Sequence, residues 1–204
     1  MRVFVVDDDD SVRESLARLL RSESLEVECF ASAGEFLETF AEVQAPSCLV
    51  LDMFLPDFNG LALQEKLRTL EHAPAIVFLT GRGDIPMSVK AMKDGAVEFL
   101  TKPFQPSELV AAVKGAIARE RALFRERESL AELQRRHRSL TAREQAVMQG
   151  VLAGLLNKQI AAGFGTSELT VKEQRAQVMR KMSASSLAEL IRMGVRLGIA
   201  GSDE

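Results

Sequence analysis

Cysteine, histidine and long apolar runs are all scarce in this chain. The two cysteines, Cys29 and Cys48, stand in strand-like runs without CxxC spacing. They read as small core hydrophobes in a reducing compartment, which argues against a disulfide framework. The two histidines, His72 and His137, have no ligand cluster around them, so neither a zinc nor an iron site is expected. No apolar stretch approaches the roughly 18 residues that span a bilayer, so no membrane partner is expected. Met1-Arg2 passes straight into a strand, so the expectation is a cytoplasmic protein without a secretory leader. What remains is a globular composition, 47% hydrophobic and 27% charged, in 204 residues that suit one or two domains.

Four short apolar runs end in polar residues. Val3-Phe4-Val5-Val6 meets Asp7-Asp8, and Cys48-Leu49-Val50-Leu51 meets Asp52. Ala75-Ile76-Val77-Phe78-Leu79 meets Thr80, and Ala96-Val97-Glu98-Phe99-Leu100 meets Thr101-Lys102-Pro103. A carboxylate at the end of a buried strand must be solvated by water, a cation or a chemical task. Strand and helix patterns alternate, with Leu25–Phe30 as a second, edge-like strand. That alternation implies a doubly wound, five-stranded parallel sheet. Right-handed crossovers allow the order 2-1-3-4-5, with a crevice between strands 1 and 3 where Asp7, Asp8 and Asp52 lie.

The charge is uneven. Up to Arg119 there are 12 basic and 19 acidic residues, a balance of −7; from Glu120 on there are 14 and 10, a balance of +4. An acidic front and a basic back suggest two jobs. Between them the fifth helix continues without proline, and Leu123, Leu130 and His137 recur by sevens, as do Leu133 and Leu140. A solvated linker helix is the preferred reading over a two-heptad coiled coil. The back half reads as all helical. Thr141 caps a helix with Glu144 three residues on. Asn157 caps a second helix, Lys158 to Ala162, and Gly163-Phe164-Gly165 makes a turn. Thr166-Ser167 caps a third helix reaching Met182, and Ser185 or Ser186 opens a fourth. Two short helices joined at a glycine turn suggest a helix-turn-helix. The expected domains are therefore 1–119, a linker helix 120–138, and an all-α four-helix domain 139–204.

Crowded carboxylates repel one another unless a cation neutralises them, and Mg²⁺ suits an all-oxygen site shared with a phosphate. An Asp carboxylate can attack a phosphoryl group, and the product's charge then calls for a cation, an ammonium and a hydroxyl. With these residues in view, residues 1 to about 120 resemble the receiver domain of a two-component response regulator. The matching residues are Asp7-Asp8, Asp52, Pro56, Gly60, Thr80-Gly81, Phe99 and Lys102-Pro103. Gly83-Asp84-Ile85-Pro86-Met87 and Ala91-Met92-Lys93-Asp94-Gly95-Ala96 resemble the FixJ-like branch. The resemblance implies that Asp52 accepts phosphate from a sensor histidine kinase. Asp8, Asp52 and the Phe54 backbone carbonyl would bind Mg²⁺, with Asp7 acting largely through water. Lys102 would hold the phosphoryl oxygens, Thr80 would swing its hydroxyl onto them, and Phe99 would turn inward behind it. A cis Lys102–Pro103 bond is also implied. Phe54 departs from the family pattern, where a polar or basic residue is commoner; with Arg82 it would flank the path of attacking water.

Residues 139–198 resemble the LuxR-type helix-turn-helix domain of NarL/FixJ regulators. The resemblance rests on Leu140-Thr141, Arg143-Glu144, Gly154-Leu155, Asn157-Lys158, Ile160-Ala161, Thr170-Val171-Lys172, Val178 and Lys181-Met182. The implied DNA contacts are Asn157, Lys158, Thr170, Lys172, Glu173, Arg175, Ala176 and Arg180, while Val171, Val178 and Met182 fall at core spacing. Thr166, Glu173 and Gln174 depart from the family. Glu173 stays open between reading cytosine, weakening DNA binding and pointing to solvent. The function implied is a phosphorylation-controlled transcription regulator acting on double-stranded DNA, with a homodimer and RNA polymerase as further partners. It would be no enzyme beyond phosphorylation and dephosphorylation of its own Asp52. The alternative is a phosphorylation-switched protein-interaction module whose helix-turn-helix binds DNA weakly or not at all. A metal-dependent phosphatase or phosphotransferase would use the same carboxylates, but the chain has no signal for a substrate pocket.

Overall fold

The computed structural model describes residues 1–40, 46–56, 58–70, 72–81 and 85–199. The expectations placed on Arg82, Gly83 and Asp84 lie outside the described residues. The chain divides into two compact units, Met1–Phe124 and Arg125–Glu204. The division falls inside the stretch expected as a linker.

The first unit alternates β1 (Arg2–Val6), α1 (Asp10–Ser22), β2 (Glu26–Phe30), α2 (Ala33–Phe40), β3 (Ser47–Asp52), α3 (Gly60–Leu67), β4 (Ala75–Thr80), α4 (Ile85–Lys93) and β5 (Glu98–Thr101). The helix α5 (Pro106–Arg138) follows. All four strand pairings are parallel and the order is β2-β1-β3-β4-β5. The period of two in the strands sorts their side chains onto two cores. Phe4, Val6, Leu49, Leu51 and Phe78 face α2, α3 and α4, joined by Phe36, Phe40, Leu63, Leu67 and Ala91. Val3, Val5, Val50, Val77 and Leu79 face α1 and α5, joined by Leu16, Leu20, Leu109, Val113 and Ile117. β3 and β4 are buried at every residue, which is why they read as unbroken apolar runs.

Two strand boundaries differ from expectation. β2 starts at Glu26, because Leu25 still closes the end of α1 through its N–H to the Leu20 carbonyl at 3.4 Å. β5 starts at Glu98 and includes Thr101; Val97 is tied to Ile76 at 2.8 Å just ahead of it.

The second unit holds the end of α5 with α6 (Ala142–Leu152), α7 (Asn157–Phe164), α8 (Glu168–Met182) and α9 (Leu187–Arg196). Its core is Leu133, Leu140, Val147, Met148, Val151, Ile160, Val171, Val178, Met182 and Leu190. Leu133 and Leu140, two of the residues spaced by seven, are thus spent on this core and not on a seam with another chain. Thr141 and Glu144 form the expected capping box, and Ser186 caps α9. The expected turn at Gly163-Phe164-Gly165 is shorter than read. Gly163 and Phe164 complete α7, and Gly165 alone turns the chain at φ 61°, a conformation glycine adopts without strain. Asn157 does not cap α7: it is the first helical residue, and Leu156 stands at the cap without a side-chain hydrogen bond. Among the described residues no helix is long and apolar enough to cross a membrane.

Candidate functional site

The four consecutive aspartates do four different things. Asp7, 1% exposed, accepts from the Lys102 ammonium at 2.8 Å and from the Asp9 N–H at 3.0 Å. Asp8 is exposed and has no hydrogen bond or ion pair among the described residues. Asp9 caps α1, accepting from the N–H groups of Ser11 and Val12, and Asp10 pairs with Arg13. The same Arg13 donates to the Asp7 carbonyl at 2.6 Å, fixing the turn out of β1.

Asp52 closes β3 beside Leu79 of β4. One carboxylate oxygen accepts from Lys102 Nζ at 2.5 Å and the other from the Phe54 N–H at 2.9 Å. Gly60 lets α3 begin directly behind it. A Cβ there would lie 3.0 Å from the Phe78 ring and 3.2 Å from the Asp52 carbonyl. Lys102 follows β5 directly and precedes a cis bond to Pro103, and its N–H donates to the Thr80 carbonyl at 2.6 Å. Thr80 is fully buried at the end of β4, and Phe99 is half-buried with its ring 6.3 Å from that of Phe78. Phe54 is 46% exposed beside Asp52.

The fold thus brings Asp7, Asp52 and Lys102 into contact; Asp8 stays in solvent. Two carboxylates share one ammonium. Burial pushes the Asp7 carboxyl above its usual value, against the hydrogen bond from Lys102, and the neighbouring Asp52 charge adds to the rise. Burial opposes charge on Lys102 as well, but the hydrogen bonds and charges of Asp52 and Asp7 outweigh it and raise its pKa. Among the described residues no three acidic, histidine or cysteine side chains form a ready-made metal cluster. The donor set nonetheless suits a hard cation, being all oxygen and one negative charge in excess.

In the second unit, Ser167 caps α8, accepting from the Thr170 N–H at 3.1 Å, with the two hydroxyls 2.8 Å apart. Val171, Val178 and Met182 are buried, as their spacing required. Lys158, Lys172, Glu173, Ala176 and Arg180 are exposed; Asn157, Thr170 and Arg175 are half-buried. Arg175 donates to the Asn157 side chain at 3.2 Å, so these two join α8 to the start of α7. Arg180 is turned along the helix to Gln177. Sequence reasoning missed Leu169, 65% exposed in the first turn of α8, and the Arg143 guanidinium stacked 4.0 Å over the Phe164 ring. The signal for Leu169 is its spacing, since it falls on the helix face opposite Val171, Val178 and Met182.

A doubly wound parallel sheet with a carboxylate–lysine crevice, and a separate capped helical unit, are the architecture of a receiver domain joined to a helix-turn-helix one. The family model for the response regulator receiver domain matches residues 3–114, and that for bacterial regulatory proteins of the luxR family matches 138–194. The chain belongs to the NarL/FixJ-type response regulators, two-component transcription regulators with a receiver and a LuxR-type domain. It is 51% identical over 201 residues to nodulation protein W of Bradyrhizobium diazoefficiens, covering 98% of this chain and 88% of that one. It is 41% identical over 202 residues to transcriptional regulatory protein FixJ of Azorhizobium caulinodans, covering 99% and 95%. Among solved structures, response regulator StyR superposes with a TM-score of 0.87 at 45% identity, covering 96% of this chain and 98% of that one.

Proposed function

We propose that the protein is a phosphorylation-switched transcription regulator of the cytoplasm, with Asp52 as phosphoacceptor and a sensor histidine kinase as donor. The observation that carries the reading is the contact of Lys102 with both Asp52 and Asp7. Asp52 accepts from an ammonium and a backbone N–H at the C-terminal end of β3. One of its oxygens attacks the phosphoryl group of a phosphohistidine. A P–O bond forms, the P–N bond breaks, and the histidine leaves with the electron pair. Lys102 then exchanges the Asp52 carboxylate for a phosphoryl oxygen.

Asp8, Asp52 and the Phe54 carbonyl would hold Mg²⁺, with Asp7 behind them; the ion supplies the positive charge that two carboxylates and a phosphoryl group lack. Thr80, buried at the end of the next strand, would turn its hydroxyl to the phosphoryl group, and Phe99 would follow it inward. That change biases a two-state element, and the bias reaches the LuxR-type unit as altered DNA binding or dimerisation, with RNA polymerase contact as a further consequence. The chemistry stays on the protein's own Asp52, so the chain is no enzyme toward other substrates.

The test is phosphorylation by acetyl phosphate with Mg²⁺, read by intact mass. A gain of one phosphoryl group, absent in Asp52→Ala and without Mg²⁺, is expected. A gain that persists in Asp52→Ala would overturn the assignment.

A further inference from the structure

We infer that α8 reads a cytosine through Glu173 and a neighbouring thymine through Leu169. This rests on the DNA-binding reading above and gives it a base preference. The exposed residues Leu169, Lys172, Glu173, Ala176 and Arg180 fall at steps of three and four along α8, hence on one face, opposite the buried Val171, Val178 and Met182. Lys172 and Arg180 make the face cationic enough to meet phosphates. Its middle is different: apolar Leu169, acidic Glu173 and small Ala176.

Glu173 has no ion pair or hydrogen bond among the described residues. Three carboxylates of the unit are engaged: Glu144 with Lys181 at 2.6 Å, Glu132 with Arg136 at 2.8 Å, Glu189 with the Ser185 N–H at 2.7 Å. Glu126, Glu128 and Glu168, like Glu173, have no such partner among the described residues, but of these four only Glu173 stands between Lys172 and Arg180 on the exposed face of α8. The helix positions three and four residues from Glu173 hold Thr170, Leu169, Ala176 and Gln177, so no cation on α8 stands where it would neutralise it. A free carboxylate on a face that meets phosphates weakens binding to every sequence alike. It contributes only where a base edge offers it a proton. In the major groove, cytosine N4 is such a donor; adenine N6 is the other, but N7 beside it repels a carboxylate.

Leu169 stands one helical turn before Glu173, exposed in the first turn of α8 behind the Ser167 cap. An exposed leucine finds one apolar partner in the major groove, the thymine C5 methyl. The ~5–6 Å between side chains one turn apart corresponds to about one to two base pairs. Ala176, with a methyl for a side chain, lets the bases approach Glu173 from the other side.

The experiment uses the full chain with beryllofluoride and Mg²⁺, at fixed salt. A randomised duplex library is selected first, and affinities for the selected site and its single-base variants are then measured. The wild type is expected to select a half-site with thymine one or two base pairs from cytosine. Replacing that cytosine should weaken wild-type binding about tenfold, and Glu173→Ala should abolish the discrimination while tightening binding to unrelated DNA. Replacing the thymine by deoxyuridine, which removes only the methyl, should weaken the wild type and leave Leu169→Ala unaffected. Glu173→Ala with tighter binding but the same preference at every position would overturn the cytosine assignment alone. An equal deoxyuridine effect in wild type and Leu169→Ala would overturn the thymine one. A wild type that binds no duplex at any salt would overturn both, together with the DNA-binding reading.

Discussion

Asp7 is 1% exposed and shares one ammonium with Asp52, so its charge is maintained against burial. Its carboxyl is raised above the ordinary value of 3.8 chiefly by that burial. A carboxyl raised on folding favours the folded state below the unfolded pKa, and that contribution is lost as pH rises through the folded value. At neutral pH the ionised Asp7 therefore opposes folding. Asp7→Asn, which keeps an acceptor for Lys102, should raise the melting temperature of the first unit at pH 7. The gain should vanish below about pH 3.8, the reference value; thermal unfolding against pH measures it. A site that opposes its own fold is the usual mark of function. Phe54 makes a second prediction. It lies 46% exposed with its N–H on Asp52, where its ring would restrict attacking water. Phe54→Arg should shorten the lifetime of the Asp52 phosphate several-fold, followed by intact mass after the donor is removed. Asp7, Asp52 and Lys102 were legible as the polar ends of apolar runs. The double grip of Lys102 was not, nor the solvent position of Asp8, because adjacent aspartates look alike until the turn after β1 separates them.

Helix ends decide much of the second unit. Glu144 accepts from the Thr141 N–H at 2.7 Å and from Lys181 at 2.6 Å, joining the cap of α6 to the end of α8. The Lys181 ammonium holds its carboxyl below the usual 4.5, with the Thr141 N–H adding to the effect. A depressed carboxyl stabilises above the unfolded pKa, and the stabilisation is lost as pH falls through the lower folded value. Glu144→Gln keeps the capping acceptor and removes the charge. It should cost about 1 kcal/mol at pH 7 and nothing once the wild-type carboxyl is protonated; urea unfolding at the two pH values separates these. At α7 the deficit is built in. Leu156 occupies the cap, 69% exposed and without a side-chain acceptor, while Gln159 reaches back to its N–H at 2.7 Å. Leu156→Ser should stabilise the unit by roughly 1 kcal/mol, read by the same unfolding. The sequence pointed to Asn157 as the cap because asparagine favours that place. Arg175 of α8 takes its side chain instead, a tertiary contact that local pattern does not encode.

At the scale of the molecule, the acidic and basic halves lie in two units that share α5. Strand order and the faces of the sheet were legible because β3 and β4 are buried throughout and parallel crossovers are almost always right-handed. The place of Leu133 was not, since it repeats like a coiled-coil residue yet is core. Phosphate grip and switching can be told apart by two different readouts. Grip belongs to the basic unit: Lys158→Ala should weaken binding to all duplexes alike and reduce the slope of log affinity against log salt by about 1. Switching belongs to Asp52. If the unmodified chain occupies its binding-competent state one time in a hundred, beryllofluoride can tighten DNA binding by at most about a hundredfold, whatever its own affinity. Asp52→Ala should lose the whole of that gain and keep the wild-type salt slope, because the basic residues are untouched. Affinity for one selected site, measured across salt with and without beryllofluoride, yields both quantities. An Asp52→Ala chain that still tightened would place the switch elsewhere than the crevice.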